Sequence, residues 1–206
     1  MKYKNLTVSQ KGLSLIESAM VLAISAVVVS GVLYYYNQAQ ENRKLEEGIK
    51  QIQTIAASVN KLYTNSTASL KGISSNPDND KVVEAISAIS GIPTMIGPGN
   101  AKMFTTPSGQ WVQFWVNDKS SVSNTYSLET QVQSVSSCIS YATLNMGTIM
   151  AGKTKILIDS KEYGSDSTSS NTTNFSLSPS IASNACEEAG KNKNGNNIKI
   201  RYTFRY

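Results

Sequence analysis

Few residues in this chain have side chains suited to chemistry. Histidine is absent and only two cysteines occur, Cys138 and Cys186. Without an imidazole there is no Ser-His-Asp triad, no Cys-His dyad and no His-ligated zinc. Two thiols are too few for a four-thiolate metal or iron–sulfur site. Asp78-Asn79-Asp80 has calcium-like donors but lacks the glycine and distal glutamate of an EF-hand loop, so it reads as a turn after Pro77. Trp111, Phe114 and Trp115 have faces that stack on sugars or bases, yet at this spacing they read as core and sheet-face residues. No carboxylate pair stands out. These observations imply no catalytic residue, no metal and no cofactor: the chain is not read as an enzyme. One acid stands apart. Glu17 lies near the start of a long apolar run. An ionised carboxylate in hydrocarbon costs at least ~2.5 kcal/mol, so an acid there usually has a task and a partner.

The segments around Glu17 say where it must sit. Three of the five net positive charges, Lys2, Lys4 and Lys11, fall within residues 1–12, and the rest of the chain carries only +2. A nearly neutral body argues against nucleic acid as a partner. Residues 13–36 carry one charge, Glu17 itself. As a helix they extend ~36 Å, enough to cross a bilayer core of ~30 Å. The preceding lysines put the N-terminal end in the cytoplasm, and Tyr34, Tyr35 and Tyr36 fall at the far headgroup level.

Beyond Tyr36 the pattern turns amphipathic. Leu45, Ile49, Ile52, Ala56, Val59 and Tyr63 follow steps of three and four and form one helical face. A single helix from Leu13 to about Tyr63 is predicted, oily all round in its first half and striped in its second. Gly31 and Gly48 are where it would most readily bend or melt. Residues 65–206 read as an α+β domain. Helices are expected at Asp80–Ser90, Cys138–Met150 and 179–189, the last begun by Ser178 and Pro179. Strands are expected at Gln110–Val116, Lys155–Asp159 and 198–206. In the last, Ile198, Ile200, Tyr202, Phe204 and Tyr206 alternate with Lys199, Arg201, Thr203 and Arg205, which places it inside an antiparallel sheet. Ser, Thr or Asn fill 14 of the 20 positions in 165–184, which reads as a long exposed loop.

Three readings of the N-terminus compete. A secretory signal peptide fits the basic start, but the apolar run is long and the best cleavage site, after Gly31, has Val29 at −3. A plain single-span anchor leaves Glu17 unexplained. The third reading takes the basic leader, the oily run and the acid together. Lys11-Gly12-Leu13-Ser14-Leu15-Ile16-Glu17 resembles the class III signal of type IV prepilins. The stretches KGLSLIESAMVLAISA and GVLYYYNQA, and Cys138-Ile139-Ser140-Tyr141-Ala142-Thr143-Leu144-Asn145-Met146-Gly147-Thr148, are similar to the type IVb subclass, in particular the subunits of bundle-forming pili. The leader is short for that subclass, Leu13 stands where type IVa members have phenylalanine, and the oily half lacks the proline many pilins carry.

The resemblance implies a type IV pilin fold, a long N-terminal helix packed on an antiparallel sheet. It divides the chain into a leader (1–12), a helix (13–64, with 13–36 as membrane span and filament core and 37–64 amphipathic) and a globular head (65–206) with a disulfide-bounded region at 138–186. It implies cleavage between Gly12 and Leu13 by a prepilin peptidase, N-methylation of Leu13, and a role for Glu17 in filament assembly. Glu17 would neutralise the Leu13 amine of a neighbouring subunit, because a paired buried charge fixes register whereas an unpaired one is costly. For Cys138 and Cys186 two readings stand: buried thiols of a cytosolic protein, or, with residues 37–206 outside the cytoplasm, one disulfide stabilising by ~4 kcal/mol. In the family the disulfide-bounded segment is the exposed face that sets filament contacts. The implied function is the major pilin of a surface filament for adhesion or aggregation. The precursor sits in the inner membrane and the product in an extracellular pilus. Implied partners are further copies of the chain, an assembly ATPase, a platform protein and an outer-membrane secretin. The alternatives are a type II secretion pseudopilin or minor pilin, and a membrane-anchored envelope binding protein.

Overall fold

The structure, a computed structural model, describes residues 14–63, 70, 73, 76–117, 124–158, 161–163, 175–191 and 198–206. The chain divides into two compact units, 1–43 and 44–206. Helix α1 (Leu15–Tyr63) contributes to both. In the first unit its side chains are uncovered: every residue from Leu15 to Tyr36 is exposed.

The second unit is built on α1 from Lys44 onward. Gly48, Ile52, Ile55, Ala56, Ser58 and Val59 are buried, and Leu45, Ile49 and Tyr63 pack at the margin of the same core. The predicted stripe is therefore the buried face, widened by Ile55. Full burial of residues such as Ile52, Ile55 and Val59 contributes about 1.5–3 kcal/mol each. The helix runs through Gly31 and Gly48 without a break, as one helix of the predicted extent.

The remaining elements are α2 (Asn76–Ser90), β1 (Thr94–Ile96), β2 (Lys102–Thr105), β3 (Trp111–Val116), β4 (Thr125–Val132), α3 (Val135–Ala142), β5 (Met150–Ile158), β6 (Lys161–Tyr163), α4 (Pro179–Lys191) and β7 (Ile198–Arg205). Among the described residues the strands form one antiparallel sheet, in the order β1-β2-β3-β4-β7-β5-β6. The C-terminal strand is internal, paired to β4 on one side and β5 on the other. Its Ile198, Ile200, Tyr202 and Phe204 are buried, as the alternation requires. Because β7 separates β4 from β5, the two halves of the sheet join only once the last residues of the chain are in place.

Three local expectations are corrected. The Asp78-Asn79-Asp80 segment is not a turn after Pro77 but the first turns of α2. Proline is tolerated there because its missing N–H would have no intrahelical partner. Asp80 Oδ1 accepts the backbone N–H of Lys102 at 2.8 Å. The helix expected over Cys138–Met150 ends at Ala142; Gly147 has φ +64°, a left-handed turn conformation, and Met150 already opens β5. In the Ser/Thr/Asn-rich stretch, 165–174 lie outside the described residues, while the part from Phe175 onward is structured: Leu177 is buried and α4 begins at Pro179.

Candidate assembly site

Glu17 lies in the first turn of α1 and is engaged by its own helix. Its carboxylate Oε2 accepts the backbone N–H of Ser14 at 2.9 Å, and Ser14 Oγ accepts the backbone N–H of Glu17 at 3.2 Å. This is a reciprocal capping box, which satisfies two of the donors left open at a helix start. The other serine hydroxyls of the run are also internally bonded. Ser25 Oγ donates to Val21 O and Ser30 Oγ to Ala26 O, each at 2.7 Å. At the far end Gln40 Nε2 donates to the Tyr36 hydroxyl at 2.9 Å. From Leu15 to Leu33 the helix thus presents an apolar surface whose serine hydroxyls turn back onto the backbone, as an apolar environment demands. By length and composition α1 is able to cross a membrane. Gly12 and Leu13 lie outside the described residues.

In the second unit a disulfide joins Cys138 on α3 to Cys186 on α4. Both residues are fully buried. Ser134 caps α3 by accepting the Ser137 N–H at 3.1 Å, and Ser178 caps α4 through the Ile181 N–H at 3.4 Å. Ala182, Ala185, Cys186 and Ala189 face inward from α4, leaving Asn184 and Glu187 outside. Ala is the smallest side chain that still buries carbon, so α4 can lie close to its neighbours.

Tyr141 ties α3 to the rest of the head. Its ring lies over Gly48, where a β-carbon would collide with the phenolic oxygen. Its carbonyl accepts the Tyr202 hydroxyl at 2.6 Å, so α3 is held by α1 and by β7. Burial pushes the Tyr141 phenol up to about 12. Tyr202 is raised well above its ordinary value, first by burial and then by the nearby Tyr141. Sequence reasoning missed this contact.

The opposite face of the sheet carries the charges. Glu129, only 4% exposed, accepts from Arg201 Nε at 2.9 Å and Nη2 at 2.7 Å, and Lys199 Nζ lies 3.5 Å from its other oxygen. Arg201 also covers the Trp115 ring and Lys199 the Trp111 ring, at 5.1 and 5.4 Å from the centroids. Phe114 points into the core. Both indoles already lie under cations, so these aromatics act as packing residues, in keeping with their sheet-face reading. Among the described residues no three His, Cys, Asp or Glu side chains converge as a metal would need.

The family model named Bundlin matches residues 37–205. This chain belongs to the bundlin family. The match spans the amphipathic part of α1 and the head. The oily run precedes it, so the prepilin-like residues and the head support one reading independently. The major structural subunit of bundle-forming pilus from Escherichia coli O127:H6 (strain E2348/69 / EPEC) is 33% identical over 143 residues, 69% of each chain. The protein of the same description from Escherichia coli O111:H- matches to the same extent. A crystal structure of type IV b pilin from Salmonella typhi aligns with a TM-score of 0.51 over 77% of this chain and 98% of its own. At 14% identity that likeness concerns the fold: a long N-terminal helix with an antiparallel sheet.

Proposed function

We propose that this chain is the major structural subunit of a bundle-forming, type IVb-class pilus. It polymerises with copies of itself into an extracellular filament and has no active site of its own. The observation that carries the reading is the run Leu15–Tyr36, none of whose side chains is buried, in a member of a family whose relatives are named as pilus subunits. Such a surface needs either lipid or other apolar helices. A pilus subunit meets both in turn: the inner membrane before assembly, and the helices of neighbouring subunits afterwards.

In this reading residues 1–12 are a leader, removed between Gly12 and Leu13 by a prepilin peptidase that also methylates the Leu13 amine. Residues 13–36 hold the precursor in the inner membrane, 37–64 pack on the sheet, and 65–206 form the head. Glu17 pairs with the Leu13 amine of a neighbouring copy, so that the filament core buries a neutralised pair. The work of extraction falls to an assembly ATPase and a platform protein, and the filament leaves through a secretin.

The test is an intact mass, with N-terminal sequencing, of protein sheared from the cell surface. The expected product starts at Leu13, carries one extra methyl group and is abundant in the sheared fraction. A chain still beginning at Met1, or cut after the apolar run, overturns the reading. Processed protein confined to the membrane, with no surface filament, points instead to a pseudopilin.

A further inference from the structure

We infer that Ser14 is a positioning residue for Glu17. It positions the carboxylate in the unassembled subunit, so that assembly exchanges one partner for another. The inference rests on the reading that Glu17 meets a Leu13 amine during assembly.

The geometry is reciprocal. Ser14 donates its N–H to Glu17 Oε2 at 2.9 Å, and its Oγ accepts the Glu17 N–H at 3.2 Å. The carboxylate bond uses a backbone N–H that any residue at 14 supplies, so the Ser14 side chain acts on Glu17 only through the shape of the first turn. The hydroxyl fixes the first turn, and that turn brings the carboxylate back over the helix start. The open N–H groups and the positive end of the helix dipole favour an anion at this place. The consequence for assembly is positional. The side chain of residue 17 would otherwise lie along the oily surface of α1. The box folds it back over Ser14, the residue that follows Leu13 in the sequence.

The same contacts bear on the membrane stage. Among the described residues those flanking Glu17 are all exposed, so the contacts described for its carboxylate come from its own helix. The backbone N–H of Ser14 supplies a donor where lipid has none. Both residues follow the proposed cleavage site, so both are retained when the leader is removed.

The experiment uses full-length chains in cells that also express the wild-type subunit. The ratio of variant to wild type in sheared pili is divided by the ratio in the processed membrane pool, which cancels effects on leader cleavage or subunit stability. Ser14→Ala is expected to enter pili about fivefold less well, the weight of one N-cap. Ser14→Thr, which keeps the hydroxyl, should stay within about twofold. Adding Ser14→Ala to Glu17→Ala should cause no further loss, because Ser14 acts through the carboxylate. Wild-type incorporation of Ser14→Ala, or an equal proportional loss in the Glu17→Ala background, overturns the inference and leaves the Glu17 reading intact. Wild-type incorporation of Glu17→Ala alone removes the Glu17 reading, and this inference with it.

Discussion

The phenolic oxygen of Tyr141, on α3, occupies the place where a β-carbon on Gly48 of α1 would be. The glycine is therefore required by close approach and not by backbone conformation. It seats the disulfide-bonded α3 directly on the amphipathic helix. An alanine at 48 would favour the helix by ~1 kcal/mol, yet it would push the ring out of a packed core. Gly48→Ala should lose about 1–2 kcal/mol net in urea unfolding of the detergent-solubilised protein. Tyr141→Phe removes the offending atom and should restore at least half of that loss in the double variant. An additive pair would mean that the contact does not govern this position.

The Cys138–Cys186 bond should matter for the stability of the head. Replacing both cysteines by serine is expected to lower unfolding free energy by ~4 kcal/mol, as the chain-entropy model gives for a loop of this length. Two buried hydroxyls without the bond add to the cost. Denaturant midpoints with and without reductant provide the measurement for the wild-type chain. Coincident midpoints would show that the bond contributes little.

Alkaline pH should unfold the head earlier than an unperturbed protein. Tyr126, Tyr141 and Tyr202 all have phenol pKa values raised by burial. In the unfolded chain a tyrosine releases its proton near pH 10, while in the folded head it keeps it. The unfolded state then binds fewer protons, so stability is complete below about pH 10 and falls as pH rises towards the folded values. The limiting slope is ~1.4 kcal/mol per pH unit for each tyrosine. Tyr202→Phe should cost about 1 kcal/mol at neutral pH through its lost bond to the Tyr141 carbonyl, and should flatten this limb. Parallel pH curves for the two proteins would exclude Tyr202 as a contributor.

Glu129 should act as the anchor of the outer sheet face. Glu129→Gln removes the negative charge that Arg201 and Lys199 share and leaves a single accepting amide oxygen, but both cations are partly solvated and keep their tryptophans. A loss of about 1–2 kcal/mol follows. Looser stacking on Trp111 and Trp115 should shift the tryptophan emission to the red. An unchanged spectrum with unchanged stability would reduce the cluster to a solvated surface.

Much of the architecture was legible in the sequence because its signals are local. The 3.6-residue stripe of α1, the alternation of β7 and the Ser178-Pro179 start of α4 each lie within a few residues of one another. The capping box is written locally too, as Ser14-x-x-Glu17. Strand β4 is hidden in the sequence for a physical reason. Its outward residues include Ser127, Glu129 and Gln131 and its inward ones include Thr130, so its contrast in polarity is weak. The strand is held by both neighbours, with Leu128 opposite Phe114 and Tyr202. The end of α3 is not fixed by local pattern, because the apolar composition of 143–150 suits a buried helix and a buried turn equally, and only the left-handed Gly147 separates them.

By itself the sequence determined the broad plan: an oily helix with one acid near its start, an amphipathic continuation, and an α+β head ending in an internal strand. Each follows from spacing along the chain, where periodicity alone decides which side chains share a face. Tertiary structure alone decided that Gly48 lies beneath Tyr141, that Glu129 gathers Arg201 from 72 residues away, and that β7 enters between β4 and β5. These are contacts between distant segments. Their partners are chosen by packing, register and charge once the chain has closed on itself, and a one-dimensional pattern carries no record of which distant residue will fill a given gap.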